Sequence, residues 1–110
     1  MKEGETTTNA NGGKQAHVRA RMDQIPAECL LLLGECLATG LERYGEGNWK
    51  KLTLEENLNH AMVHITRHRM GDMSEPHLVN ALARINFALW QNVDSGNQPI
   101  SYHLLRTLDS

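Results

Sequence analysis

The spacing of apolar residues along the chain predicts three main helices. Between residues 26 and 92, apolar side chains recur every three or four positions, which is the period of one helix face. The first helix is predicted from Pro26 to Tyr44, because proline suits a first helical turn and Gly45 suits a left-handed stop. Its apolar stripe consists of Leu30, Leu33, Leu37, Leu41 and Tyr44.

The second and third helices have recognisable start and stop signals. Thr53, with Glu56 three residues later, has the pattern of a capping box at the start of the second helix, and Gly71 is expected to end it. The third helix is predicted to begin near Ser74, with Pro76 in its first turn. The apolar stripes are Leu54, Leu58, Ala61, Met62 and Ile65 on the second helix and Leu78, Leu82, Ile85 and Leu89 on the third.

The first and third helices are apolar on more than one side. The stripe of the first helix is widened by Cys29, Leu31, Leu32 and Cys36. This width fits either a central buried helix or a second apolar face used for a subunit contact. On the third helix, His77, Asn80, Arg84 and Gln91 form a single polar line between apolar sides. We therefore expect the third helix to touch two neighbours and the protein to form a helical homo-oligomer.

The two ends of the chain differ from this helical middle. Residues 1–17 hold Gly, Thr, Asn and charged residues with almost nothing to bury, which predicts a disordered arm. Ile100, Leu104 and Leu108 stand at helical spacing and predict a short C-terminal helix that docks on the body or on another subunit. No strand-like alternation is apparent. The predicted class is all-α, with a single domain over residues 18–110.

Composition and charge narrow the kinds of ligand. The 110 residues carry a formal charge of −2, so we expect no bulk attraction to nucleic acid or to an anionic membrane, although a local cluster is enough for a small charged ligand. No apolar run approaches the ~18 residues of a membrane span, and no signal peptide is apparent. Cys29 and Cys36 are too far apart on a helix to form a disulfide, and we expect reduced thiols in the cytoplasm.

The candidate chemistry lies beside the apolar stripes of the second and third helices. The flank of the second helix carries Asn57, His60, His64, Arg67 and His68, and that of the third carries His77 and Arg84. If the two helices pair antiparallel through their apolar stripes, as the short turn between them favours, these flanks face one groove. Imidazole and guanidinium groups in such a groove are suited to a phosphate or a nucleotide.

Other kinds of site receive less support from the residue spacing. Histidines at i and i+4 arise on any amphipathic flank, so no metal site is predicted from them. Magnesium-dependent hydrolases usually present paired carboxylates, and this chain has no Glu-x-x-Glu; the weak catalytic candidates are Asp72 and Glu75. Both cysteines lie on the leucine-rich helix, where a thiolate would be desolvated, which argues against nucleophilic catalysis. No glycine-rich phosphate loop of the P-loop kind is apparent either.

An aromatic turn with the sequence YGEGNW joins the first two helices. Its two glycines permit the turn, and Tyr44 and Trp49 either pack on helix ends or stack on a base. The two interpretations are compatible, since Trp49 can brace the turn while Tyr44 or Asn48 contacts a ligand. Lys50 follows directly and is a candidate for steering phosphate.

These motifs occur in a recognisable order. RARMDQIP is followed by YGEGNW, then by His64 on a helix, then by the pair Gly71 and Asp72, and then by HLVNA starting at His77. Over residues 19–92 this pattern resembles a family of small phage-encoded α-helical proteins, whose domain is named for its place at the N-terminus of dATP/dGTP diphosphohydrolases. The resemblance implies a phage protein in the cytoplasm of an infected bacterium, a purine deoxynucleotide ligand, and distant kinship with oligomeric, magnesium-dependent MazG-type nucleotide pyrophosphatases.

Three functions stay open at this point. In the first, the protein binds a purine (deoxy)nucleotide. Hydrolysis of dGTP or dATP to monophosphate and pyrophosphate would be a further step, with Mg²⁺ at Asp72 and Glu75. Alternatively, it is a non-enzymatic phage anti-defence sponge that sequesters a cyclic or modified nucleotide, or it is a protein-interaction accessory with no small ligand. The candidate ligand-binding residues are Tyr44, Asn48, Trp49, Lys50, His60, His64, Arg67, His68, His77 and Arg84.

Overall fold

The computed structural model describes residue 2 and residues 4–96, and three helices dominate this part of the chain. Helix α1 spans Ala27–Tyr44, α2 spans Leu54–Arg69 and α3 spans His77–Asp94. Short 3₁₀ turns at Met22–Gln24 and Asn48–Lys51 precede α1 and α2. The predicted all-α class is confirmed. The short helix predicted around Ile100, Leu104 and Leu108 lies outside the described residues.

Helix α1 begins and ends where the sequence predicts. Pro26 stands immediately before the first helical residue, where its missing N–H costs nothing. Gly45 follows the last residue with φ of 84°, and its N–H donates to the carbonyl of Leu41. A left-handed backbone at this position is inexpensive only for glycine, so Gly45 sets the end of the helix.

Helix α2 is defined at both ends by local hydrogen bonds. The Thr53 hydroxyl accepts the N–H of Glu56 at 3.1 Å, and the Glu56 carboxylate accepts the N–H of Thr53 at 2.9 Å, so the predicted capping box is confirmed. At the other end, Gly71 adopts φ of 84°, and the N–H of Asp72 donates to the carbonyl of Arg67. This Schellman closure fixes Asp72 directly after the helix.

Helix α3 begins at His77, three residues later than the predicted start at Ser74. Asp72 Oδ1 accepts the N–H of Ser74 at 2.9 Å and holds that residue in a turn. Pro76 also disfavours a helical backbone for the residue before it, so Glu75 cannot join the helix. Pro76 instead becomes the cap, and its carbonyl accepts the N–H of Asn80.

Helices α2 and α3 pair antiparallel, but through a different face from the one predicted. Asn57 contacts Gln91 and His64 contacts His77, so the start of α2 lies beside the end of α3. The buried residues are Asn57 and Ala61 of α2 and His77, Ala81, Ala83 and Ala88 of α3. The expected pairing through the leucine stripes is wrong: Leu58, Met62, Leu78, Leu82, Ile85 and Leu89 are exposed. Alanines let the two backbones approach closely, and this close approach excludes the larger side chains.

Helix α1 packs against α3, which therefore contacts two helices as predicted. The thiol of Cys36 on α1 donates to Asn80 Oδ1 on α3 at 3.2 Å. None of the 18 residues of α1 is buried, and Leu31 remains 70% exposed. In this chain α1 is thus not a central buried helix, which leaves the interpretation of a second, outward apolar face.

Residues 6–16 form a short antiparallel hairpin in place of the predicted disordered arm without strands. Strand β1, Thr6–Thr8, pairs with β2, Lys14–Ala16. Asn9 closes the turn, because its Oδ1 accepts the N–H groups of Asn11 and Gly13 at 3.0 and 2.8 Å. Threonines favour an extended backbone, but strands of three largely exposed residues carry no alternating apolar pattern in the sequence.

Among the described helices, none combines the length and the apolar character that a bilayer crossing requires.

Candidate functional site

Five polar residues face one another along the contact between α2 and α3. On α2, Asn57 and His64 are seven residues apart; on α3, His77, Arg84 and Gln91 are also seven apart. Seven residues make about two helical turns, so each set forms a line along one face of its helix. We call these five residues the polar seam. They alternate with alanines where a helix pair normally carries large apolar residues.

One end of the polar seam is a continuous hydrogen-bonded chain. Asn57 Nδ2 donates to Gln91 Oε1 at 3.0 Å, and Gln91 Nε2 donates to the carbonyl of Leu52 at 2.7 Å. Arg84 Nη1 donates to Asn57 Oδ1 at 3.2 Å. Asn57 is fully buried, so both ends of its amide are satisfied by protein partners, as a buried amide requires. This end ties α2 to α3 and holds the Arg84 guanidinium in the middle of the seam.

The other end, which we call the histidine end, brings His64, His77 and Asp72 into contact. His77 Nε2 lies 2.9 Å from Asp72 Oδ2, and His77 Nδ1 lies 2.9 Å from His64 Nδ1. The N–H and hydroxyl of Ser74 and the His77 ring lower the pKa of Asp72, so this carboxylate is ionised and accepts. His77 Nε2 therefore carries a proton and donates to Asp72, and one of the two Nδ1 atoms donates to the other across the contact between His64 and His77.

Burial lowers the pKa of the His64 imidazole, and the neighbouring His77, His60 and Arg84 act in the same direction, while Glu75 opposes them. The His77 side chain is completely buried. The histidine end therefore places two imidazoles in direct contact next to a carboxylate.

Glu75 and Arg67 lie at the solvent side of the histidine end. Arg67 Nη1 is 4.0 Å from Glu75 Oε2, and both side chains are about half exposed. Asn80 Nδ2 approaches Glu75 Oε1 at 3.4 Å, a long contact. Glu75, His64 and His77 each offer one ligand atom, and these atoms lie within 4.8 Å of one another. The turn before α3 thus adds a carboxylate to the two imidazoles.

The aromatic turn lies toward the opposite end of α3. Trp49 stacks on Phe87 with ring centroids 4.7 Å apart and meets Trp90 edge-on at 5.1 Å. Lys50 Nζ is 5.6 Å from the centroids of both indole rings. Phe87 is ten residues beyond His77, which corresponds to about 15 Å along the helix. Trp49 therefore has the structural bracing role that the sequence left open.

The structure brings together some of the predicted site residues and separates others. His64, Arg67, His77 and Arg84 lie along the polar seam or beside it, together with Asp72 and Glu75. His60 and His68 are exposed on α2, one turn to either side of His64. The aromatic turn contains the remaining candidates, Tyr44, Asn48, Trp49 and Lys50. Tyr44 is exposed, and the guanidinium of Arg43 lies over its ring.

Asn57 was placed on the groove-facing flank but not among the ligand-binding candidates, and Gln91 was predicted only as a polar position of the third helix. The signal that identifies them is the seven-residue spacing that they share with His64, His77 and Arg84. Such a spacing marks one line along a helix and is visible in the sequence. In this chain the line of polar residues is buried because small residues, all of them alanines, lie between its members.

The fold and the site define the protein as an all-α helical protein with a histidine, arginine and carboxylate cluster inside a helix pair. The family model for dATP/dGTP diphosphohydrolase, N-terminal, matches residues 9–98, which includes all three helices. The chain belongs to this family, as the order of its motifs predicted. Comparisons with curated proteins and with solved structures gave no match.

Proposed function

We propose that the protein binds a purine deoxynucleotide, with the phosphates at the histidine end of the polar seam. The observation that carries this proposal is the convergence of His64, Arg67 and Arg84 on the contact between α2 and α3. Its second support is membership of a family named for dATP/dGTP diphosphohydrolases. Guanidinium groups bind phosphate oxygens in a bidentate manner, and imidazoles add further donors.

Arg67 is the side chain best placed to contact a phosphate. Its nearest carboxylate, Glu75, is 4.0 Å away and half exposed, so the ion pair is weak and easily exchanged. His60 and His68 are exposed on the same helix and extend the set of donors when protonated. Arg84, by contrast, is held by Asn57 and contributes a fixed positive charge at the middle of the seam.

The base is assigned to the exposed part of the aromatic turn. Trp49 has one face against Phe87, whereas the Tyr44 ring is more than half exposed. Tyr44, with Asn48 nearby in sequence, is therefore the stronger candidate for stacking on a purine. Lys50 lies beside the indole rings and adds a positive charge at this end.

Magnesium is the ion that the family kinship implies for hydrolysis, and the described residues do not fit it well. Mg²⁺ demands oxygen ligands in near-octahedral geometry. Asp72 already accepts from Ser74 with one oxygen and contacts His77 with the other, and Glu75 has Arg67 and Asn80 as neighbours. The other groups at the histidine end are imidazoles. Magnesium-dependent hydrolysis at Asp72 and Glu75 stays a prediction, which the analysis of reaction products described below tests.

Capture without hydrolysis is the second candidate, and the same engaged carboxylates favour it. A groove rich in histidine and arginine and poor in available acids holds a phosphorylated ligand but supplies little for cleaving it. A cyclic or modified nucleotide would fit this chemistry as well as a deoxynucleoside triphosphate. The lack of any Glu-x-x-Glu pair in the sequence points the same way.

One incubation experiment separates these functions. The pure protein is incubated with dGTP, dATP and a panel of cyclic nucleotides, with and without Mg²⁺, and free and heat-released ligands are analysed by chromatography. Monophosphate with pyrophosphate supports hydrolysis, and an intact nucleotide released only by heating supports capture. If no nucleotide is bound or changed, the nucleotide proposal is overturned in favour of a protein-interaction accessory.

A pair of arginine variants tests the location of the phosphate. Arg67→Ala is expected to weaken nucleotide binding about ten-fold or more, since a hydrogen bond to a charged group contributes about 1.5–3 kcal/mol. Arg69→Ala, also on the last turn of α2 and exposed, is the matched control and should bind as the parent protein does. Equal losses in both variants would indicate general charge attraction and contradict the assigned site.

We also propose that a second copy of the chain covers the outward apolar faces. Leucines of α1 and the leucine stripe of α3 are exposed in the single chain, and the described buried residues are few. Contiguous exposed apolar surface on a small domain usually marks an interaction site. The sequence predicts a homo-oligomer, so we expect the molecule that covers these faces to be a second copy of this chain.

A further inference from the structure

We propose that His64, His77 and Glu75 form a binding site for a divalent transition-metal ion of the zinc type. Their candidate ligand atoms lie within 4.8 Å of one another, and they come from α2, from the start of α3 and from the turn between them. Two imidazoles and one carboxylate form a known three-ligand set for zinc that keeps a fourth position open. The proposal does not rest on nucleotide binding and goes beyond it.

Asp72 orients His77 in the way that a metal site requires. Its Oδ2 lies 2.9 Å from His77 Nε2, so a proton is held on Nε2 and Nδ1 is the ring nitrogen that faces His64. Metal-bound histidines almost always donate their other ring N–H to a carboxylate or carbonyl group, which fixes the tautomer and the ring plane. Asp72 is therefore a positioning residue, and its own place is fixed by the Schellman closure after α2.

The spacing of the two imidazoles is close to the spacing that zinc needs. The two Nδ1 atoms are 2.9 Å apart. Two nitrogen ligands at about 2.0–2.1 Å from a tetrahedral ion lie about 3.3 Å apart, so the rings need to separate by only a few tenths of an ångström. Where His64 carries its proton on Nδ1, that proton would pass to solvent while Nε2 takes one up, so the ring stays neutral and Nδ1 is free to bind the ion.

Glu75 is the ligand that can move toward the ion. Its side chain is about half exposed, and its contacts with Arg67 at 4.0 Å and Asn80 at 3.4 Å are both long. Losing these contacts on metal binding costs little.

The ligand set selects the class of metal. Imidazole nitrogens suit Zn²⁺, Co²⁺ and Ni²⁺, whereas Mg²⁺ and Ca²⁺ take oxygen ligands. The structural alternative is that His64 and His77 form only a hydrogen bond between α2 and α3. That alternative predicts no dependence of metal affinity on His64 or Glu75.

The test is a Co²⁺ titration of the full-length, tag-free chain after treatment with chelator, without nucleotide. We expect one equivalent of Co²⁺ to bind with visible d–d absorption bands, and Zn²⁺ to displace it. His64→Ala and Glu75→Gln should each weaken Co²⁺ binding at least ten-fold. Asp72→Asn should weaken it by about 10–100-fold, the usual effect of losing an outer partner of a ligand.

His60→Ala and His68→Ala are the matched controls, since both residues are exposed and one turn from His64 on the same helix. These variants should bind Co²⁺ as the parent does, and circular dichroism should show parental helicity in all variants. Failure of the parent to bind, or equal losses in the controls and in His64→Ala, would overturn the site. Because nucleotide is absent, this result is independent of the fate of the nucleotide proposal.

Discussion

The inner contact between α2 and α3 and the outer faces of the helices have opposite compositions. The inner contact is made of alanines and buried polar groups, namely Asn57 and His77 with their partners. The outer faces carry large apolar residues such as Leu31, Leu82 and Leu89, which a helix pair normally buries. In this chain, hydrogen bonds connect α2 with α3 across small buried residues, and large apolar side chains stay exposed on the outer faces.

The difference implies a division of roles between the two regions. A buried polar network fixes one register between two helices, because every member needs its particular partner. Contacts between large apolar faces bury apolar surface, but they fix the register between two helices less strictly than a polar network does. We infer that the seam positions the site residues and that the outer faces provide association.

The largest effect is expected from removing a polar group at the inner contact. Asn57→Ala leaves the part-buried Gln91 Oε1 without its donor and Arg84 Nη1 without its acceptor. Each unsatisfied buried group costs about 1–3 kcal/mol, so we expect a loss of about 3 kcal/mol in the free energy of unfolding. Urea denaturation followed by circular dichroism measures it.

Asn59→Ala is the matched control for this substitution. Asn59 is exposed, two residues away on the same helix, and its replacement should change stability by no more than about 0.5 kcal/mol. If both asparagine variants unfold at the same urea concentration, the polar seam does not hold the helices together.

The next effect is expected from filling the space between the helix backbones. Ala81 is only 3% exposed, and Ala81→Leu inserts three extra carbon atoms into the close contact. Overpacking of this kind costs about 1–3 kcal/mol. Ala38→Leu on exposed α1 introduces the same side chain with nearly the same helix propensity, and should leave the unfolding free energy almost unchanged. An Ala81→Leu variant as stable as its control would mean that larger residues are tolerated between α2 and α3.

A smaller effect on folding, but a clear effect on mass, is expected at the outer faces. Leu31→Glu changes a side chain that is 70% exposed, so the single chain should lose no more than about 0.5 kcal/mol of stability. The added charge should nevertheless dissociate the oligomer, which light scattering after size exclusion detects as a lower mass. Asn59→Glu adds the same charge at an exposed polar position and should keep the parental mass. A parent chain that is monomeric at every concentration contradicts the association proposal.

Sequence reasoning identified the helices well because their ends are local. The Thr53 and Glu56 capping box and the stops at Gly45 and Gly71 depend on residues within one turn, and each was confirmed. The start of α3 was predicted too early, because Pro76 disfavours a helical backbone at Glu75 and so delays the helix to His77. The hairpin of residues 6–16 was missed because its strands are three residues long and mostly exposed.

The faces that meet could not be predicted in the same way. Helical periodicity shows which residues share a face, but the choice between faces depends on how closely two backbones approach. The leucines of both stripes suggested the wrong face, whereas Ala61, the one buried member of the predicted α2 stripe, and Ala81 and Ala88 of α3 lie at the contact. His64 and His77 were predicted to face one groove, and their direct contact through Nδ1 atoms follows from the face that the alanines select.

The smallest expected effect is a difference in reactivity between the two cysteines, one part-buried between helices and the other exposed. Cys36 is partly buried against α3, its thiol donates to Asn80 Oδ1, and burial raises the pKa of this thiol although Arg84 opposes the shift. Cys29 is exposed at the start of α1. Only the thiolate reacts with iodoacetamide, so near neutral pH Cys36 should be alkylated several-fold more slowly than Cys29, as measured by mass spectrometry of peptides over time.

Alkylation in urea provides the reference, because unfolding should bring the two rates together. Equal rates in the native protein would contradict the partial burial of Cys36. A Cys29 that is slow in the native protein but fast in urea would instead show that a second chain covers the start of α1. Repeating the measurement on Leu31→Glu distinguishes the causes: dissociation should restore fast reaction at Cys29 and leave Cys36 slow, since α3 of the same chain still covers Cys36.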